Sequence, residues 1–232
     1  MLHWTIKHLL VPKARLILFG QWGSWKSMLA IHTTFCVSSG KPWIALPTTP
    51  STTLLVQLEI PKVMFRERVL KYAKSHSLYP TNIWFITEPY LKLDTPQGMA
   101  KLDAIMSVIK PKLLILDPTY RVLSGDITSN WQVEKLITNI DILADRYDCA
   151  VILIAHTRKP VQDISVPLTT IGWGHELLGA SYFQDWTDSA VAVELLPNDT
   201  LKLHFTKARL SEVILPTMTI KVDRSTLGWR II

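Results

Sequence analysis

The sequence predicts an α/β fold, a mostly parallel central sheet flanked by helices, with an antiparallel C-terminal extension. Three observations carry this. Short apolar runs of strand length alternate with helical segments through the first two thirds of the chain; the first run leads into a glycine turn and a helix start; and the last third switches to closely spaced strand-like runs. The 232 residues are expected to make one domain spanning 1–232.

Taken in order, residues 1 to 14 hold Trp4, Ile6, Leu9 and Leu10 in a mixed pattern, a lead segment expected to pack beside the glycine turn. A first strand is expected at about 15–19, then a helix to about 39, stopped by Gly40 and Pro42 as a glycine cap followed by proline would stop it. The run Thr53-Leu54-Leu55-Val56-Gln57-Leu58 reads as a second buried strand ending on Glu59. After Pro61, the residues Phe65, Val69, Tyr72 and Ala73 fall on one helical face. Ile83-Trp84-Phe85-Ile86 is a third strand, and Met99, Leu102, Ile105, Met106 and Ile109 mark another helix.

The fourth strand runs from Lys112 to Asp117, and a polar loop, 118–130, leads to a helix with Val133, Leu136, Ile137, Ile140 and Leu143 inward. Ala150 to Ala155 is the fifth strand, ending at His156. Helices of this length between strands imply parallel pairing through right-handed crossovers, with ligands at the carboxyl ends of the strands. Beyond a long loop and a short helix near 177–183, runs at 190–195, 201–206, 217–222 and 228–232 are expected to extend one sheet edge in antiparallel fashion, with Pro197-Asn198-Asp199 as one turn.

The glycine turn, Gly20-Gln21-Trp22-Gly23-Ser24-Trp25-Lys26-Ser27, has the sequence of a phosphate-binding loop. A helix N-terminus offers unpaired N–H groups and a positive dipole end, and a glycine turn lets them close around an anion. Gly20, Gly23, Ser24, Trp25, Lys26, Ser27 and Met28 are the candidate binding residues, with Lys26 for the outer phosphates and the Ser27 hydroxyl for magnesium. Trp25 stands where the pattern has its second glycine. A tryptophan does not take positive φ cheaply, so the turn is expected to form with ordinary dihedrals.

Four further positions bear chemistry at strand ends. Asp117 would deliver a carboxylate to a magnesium ion, and Glu59 would orient and deprotonate a water attacking a γ-phosphate. The plainer alternatives are a strand-end turn residue and a first-turn helix charge. His156 is either a structural histidine or a sensor joining nucleotide state to the basic Thr157-Arg158-Lys159 that follows. Lys207 and Arg209, two apart in a strand, project to one face, either as an exposed basic edge or as cations reaching a phosphate held by a neighbouring subunit.

A hydrophobic content of 48% with 19% charged residues excludes a disordered chain. Net charge +6 suits a polyanionic partner such as nucleic acid. Cys36 and Cys149 sit in apolar runs and read as buried thiols in a reducing compartment; with no membrane-length apolar stretch and no signal peptide, a cytoplasmic protein is expected.

The constellation resembles the RecA-type P-loop ATPase core and, within it, the RepA-type ring helicases of plasmids and phages. The resemblance rests on Gly20 to Ser27, the Ser39-Gly40-Lys41-Pro42-Trp43 helix end, Glu59, Leu116-Asp117-Pro118 and Ala155 to Lys159. It continues through Gly179-Ala180-Ser181, Trp186 to Ser189, and Lys207-Ala208-Arg209-Leu210. It implies an ATP- and Mg²⁺-dependent, DNA-stimulated hydrolase acting as a homo-oligomeric, hexameric ring on single-stranded DNA, with Glu59 as base and Lys207 and Arg209 supplied in trans. Loops at about 118–130 and 157–174, carrying Arg121, Arg158 and Lys159, would hold the DNA backbone. The same core also serves filament-forming recombination ATPases and nucleotide-switched scaffolds, which stay as alternatives.

Overall fold

The computed structural model describes residues 3–127, 129–157 and 180–232. The strands form one nine-stranded sheet, β3-β2-β4-β5-β1-β6-β7-β8-β9. They are β1 (Arg15–Gly20), β2 (Thr53–Gln57), β3 (Ile83–Thr87), β4 (Leu113–Asp117), β5 (Ala150–His156), β6 (Ser189–Leu196), β7 (Thr200–Ala208), β8 (Met218–Asp223) and β9 (Gly228–Ile231). Among the described residues five helices flank it: α1 (Lys26–Ser39), α2 (Lys62–His76), α3 (Pro96–Ile109), α4 (Asn130–Tyr147) and α5 (Ala180–Trp186).

Side-chain alternation along the strands sorts the core into two layers. Leu16 and Leu18, Leu55, Ile115, Ile152 and Ile154 point to one face, where they meet Leu29, Ile31 and Phe35 of α1 and Phe65 and Tyr72 of α2. Ile17 and Phe19, Leu54, Leu114, Leu116 and Leu153 point to the other, against Leu102 and Met106 of α3 and Leu136, Ile140 and Leu143 of α4. The strands β1, β2, β4 and β5 are buried on both faces, which is why they read as unbroken apolar runs, whereas the edge strand β3 is only partly covered and leaves Trp84 exposed. Beyond β6 only one face is covered: Leu201, Leu203, Ile220 and Val222 join the α1 side, and Lys202 and Lys221 alternate with them.

Two helix ends carry recognisable caps. Gly40 closes α1 in the left-handed conformation (φ 70°), its N–H donating to Cys36 O. Thr95 caps α3 by accepting from the Gly98 N–H at 3.1 Å, with Pro96 in the first turn. Asn198 and Asp199, at φ 59° and 55°, make the tight turn between β6 and β7.

Three expectations are corrected. The lead segment does not sit beside the phosphate loop. Leu9 O accepts from Ser189 Oγ (2.7 Å), and Ser189 lies opposite Leu16 near the start of β1, so the segment closes the amino end of the sheet while the loop lies at the carboxyl end. The β6 strand is not part of the antiparallel extension. It pairs parallel to β1, so antiparallel pairing begins only between β6 and β7 and the loop-bearing strand is interior. The stretch after β4 is not wholly polar loop, because a 3-10 turn (Thr119–Val122) buries Val122 and Leu123 against the α3/α4 layer. Both cysteines are buried and free, as expected.

Candidate functional site

Strand register brings the chemical positions together. Gly20 at the end of β1 lies opposite His156 of β5, and Gln57 at the end of β2 lies opposite Asp117 of β4. The carboxyl ends are therefore level, and the residues just past them share one rim. Gly20 itself is required by close approach: a Cβ there would run into the carbonyl oxygen of Val193 on β6.

The loop from Gly20 leads into α1, and Lys26 is the first residue of that helix. Lys26 is 3% exposed, and its Nζ donates to Gly20 O (2.9 Å), Gln21 O (2.6 Å) and Ser24 Oγ (3.1 Å). Burial pulls its pKa down to about 8, while Asp117 and Glu59 oppose that shift. Asp117 is buried at the end of β4; burial pushes its carboxyl up to about 6, against a hydrogen bond from Ser27 and the charge of Lys26. Glu59 is exposed just past β2, its Oε1 accepting from the Tyr120 hydroxyl at 2.9 Å. His156 is half-buried, and its Nδ1 has no hydrogen-bond partner among the described residues. Burial, with Lys26 next, lowers its pKa, and Glu59 opposes.

A cavity of about 440 Å³ opens between these groups, lined by Gly23 to Met28, Glu59, Asp117 and His156. It is joined by two cations that sequence reading missed, Arg68 of α2 and Arg224 of the β8–β9 turn. Arg68 carried a signal: it lies three residues after Phe65 and four before Tyr72, both buried, so the helix period sets it at the edge of the inward face. For Arg224 there was none, because its place depends on the sheet order.

Trp25 overturns the expectation of ordinary dihedrals. It adopts φ 62°, ψ 13°, the left-handed conformation that the usual glycine supplies. Its ring packs partly buried against the α1 layer, and the Arg224 guanidinium lies 5.5 Å from the ring centroid, itself held by Asp199 at 2.8 and 2.5 Å. These contacts offset a backbone cost of about 1 kcal/mol. The two effects separate by substitution. Trp25→Ala loses the ring and keeps the strain, so Trp25→Gly is expected to be more stable than Trp25→Ala by about 1 kcal/mol in denaturant unfolding. Equal midpoints would show that the left-handed turn costs nothing.

Lys207 and Arg209 do not line this cavity. Lys207 Nζ donates to Gln184 O, and Arg209 lies at 3.4 Å from Asp185 O and 4.0 Å from Asp188, at the end of α5. Arg121 is exposed on the 3-10 turn, with its guanidinium 5.5 Å from the Tyr120 ring centroid. Arg158 and Lys159 lie outside the described residues, as does most of the 157–174 loop.

The donor set fits nucleotide and magnesium. The Ser27 hydroxyl and the Asp117 carboxylate are hard oxygen donors lining the same cavity, of the kind Mg²⁺ takes while keeping its own waters. The loop N–H groups and Lys26 are donors suited to phosphate oxygens, and the unpartnered His156 Nδ1 is a further donor in the tautomer that carries the proton there.

With that geometry in view, comparison with known proteins is decisive at one level. A family profile described as AAA domain, AAA_25, matches residues 1–162. The chain belongs to the AAA_25 family. Among solved structures it is similar to the KaiC-like protein PH0186 from the hyperthermophilic archaeon Pyrococcus horikoshii OT3, at 12% identity and TM-score 0.67 over 98% of this chain and 93% of that one. At that identity the likeness concerns the fold. No curated protein matches the sequence. Together they support an ATP-binding, RecA-like P-loop ATPase core for this AAA_25 member. No helix among the described residues is long and apolar enough to cross a membrane.

Proposed function

We propose that the chain is an ATP-dependent single-stranded-DNA translocase or helicase, working as a homo-oligomeric, hexameric ring in the replication of a plasmid, phage or other mobile element. The observation that carries the nucleotide chemistry is the convergence of Lys26, Ser27, Asp117, Glu59 and His156 on one cavity at the carboxyl ends of the strands. Lys26 and the loop N–H groups bind and orient the triphosphate. Ser27 and Asp117 would hold Mg²⁺, whose charge offsets that of the phosphate oxygens. Glu59 orients a water and takes its proton as the oxygen attacks the γ-phosphorus and the bond to the β-phosphate oxygen breaks.

One observation supports the ring and another the nucleic-acid partner. Lys207 and Arg209 stand clear of their own cavity while remaining paired in direction at the end of α5, the disposition expected of cations serving an adjacent copy's phosphate. Arg121, exposed on the turn that follows Asp117, and the chain's net charge of +6 favour a nucleic-acid partner bound through its backbone. ATP turnover measured with and without single-stranded DNA, on material of determined assembly mass, tests the reading. The expected result is ATP-dependent assembly into closed rings with DNA-stimulated turnover. Open filaments would favour a recombination ATPase, and negligible, DNA-indifferent turnover a nucleotide-switched scaffold.

A further inference from the structure

Glu59 is exposed just past the end of β2; the N–H of buried Leu58 before it donates to Asp117 O at 2.9 Å, and its own N–H donates to the Gln57 side-chain oxygen at 2.8 Å, so the backbone is fixed while the carboxylate projects outward. A carboxylate so placed samples several rotamers. Among the described residues one side-chain hydrogen bond selects between them, the 2.9 Å bond from Tyr120 Oη to Oε1. The phenol is itself presented from a tied frame. Thr119 Oγ1 donates to Ile154 O (2.9 Å), fastening the 3-10 turn to β5, and Arg121 N–H donates to Pro118 O (3.2 Å). From the other side Lys92 Nζ donates to Arg121 O (2.6 Å) and Leu123 O (3.0 Å). The Tyr120 ring lies 5.9 Å from that of His156, so the hydroxyl reaches Glu59 from the rim of the cavity.

We propose that Tyr120 is a positioning residue for Glu59, its hydroxyl holding the carboxylate in the rotamer from which it addresses water in the cavity. The inference rests on the reading of Glu59 as the base. It also names a use for the residue beside Arg121: any movement of the turn shifts the hydroxyl, and with it the carboxylate. Burial, followed by the bond to Glu59, raises the phenol's pKa, so the group remains a donor at neutral pH.

The test is a double-mutant cycle on the full-length protein without nucleic acid: wild type, Tyr120→Phe, Glu59→Gln and the double variant, each assayed for kcat and KM with ATP and for Tm. Phenylalanine keeps the ring and removes only the hydroxyl. Tyr120→Phe is expected to lower kcat about tenfold with KM unchanged, a positioning loss, and to have no further effect in the Glu59→Gln background. A wild-type kcat in Tyr120→Phe, a rise in KM alone, or an equal drop in both backgrounds would overturn the proposal and leave the base assignment standing. Wild-type turnover in Glu59→Gln would instead remove the base reading and this inference with it.

Discussion

Replacing Lys26 with alanine is expected to weaken ATP binding about a hundredfold, leaving the variant nearly empty at concentrations that just saturate the wild type. The side chain is the central cation of the phosphate loop, and its Nζ already donates to Gly20 O, Gln21 O and Ser24 Oγ within the loop it must hold together. A phosphate oxygen facing that ammonium gains a charge-assisted hydrogen bond of about 2–3 kcal/mol, and its loss weakens affinity on the order of a hundredfold. Titration with a fluorescent ATP analogue measures this. Circular dichroism guards against the alternative that the loop carbonyls, stripped of their donor, unravel the start of α1. Undiminished affinity in a folded Lys26→Ala protein would take the lysine out of the phosphate site.

The second large effect is catalytic. Glu59→Gln is expected to bind ATP as the wild type does and to lose turnover by about 10²–10⁴-fold, the range a positioned general base contributes. The substitution is conservative in space. Glutamine keeps an oxygen that can accept from Tyr120, and Glu59 is exposed, so no buried partner is orphaned. Only the capacity to take a proton is removed. Parallel binding and single-turnover measurements separate the two steps, and equal turnover in variant and wild type would exclude Glu59 as the base.

Much of this site was readable from residues alone because its parts sit where short-range signals are strongest. An apolar run ending in a carboxylate, as at Leu116-Asp117 and Leu58-Glu59, is a buried strand reaching its rim, and in a parallel sheet all such rims face one way. The phosphate loop is local too, a turn and the helix it starts. What stayed illegible was set by long-range packing. Trp25 takes the left-handed conformation because Arg224, 199 positions later by number, and the α1 layer hold its ring; no rule about intrinsic dihedrals contains that. The parallel pairing of β6 was hidden for a related reason. Ser189–Leu196 and Thr200–Ala208 form a genuine hairpin, and nothing in their own pattern shows that the outer side of β6 is taken by β1. The lead segment followed sequence proximity to the loop, whereas the six residues of β1 carry the chain from one end of the sheet to the other.

The interior position of β1 has a consequence for how this molecule can be divided. The family profile ends at residue 162, before β6 begins, yet Leu16 to Gly20 run alongside Ser189 to Val193 through their whole length. A piece excised at that boundary would keep every proposed catalytic group of its own cavity, losing from the lining named above only Arg224, and still leave the loop-bearing strand with a bare row of amides and carbonyls. Val191 and Val193 would vanish from beneath α1 at the same stroke. Such an edge invites self-pairing. The part of this chain that the profile matches is therefore not a portable unit; its C-terminal strands are the wall against which the phosphate loop is built.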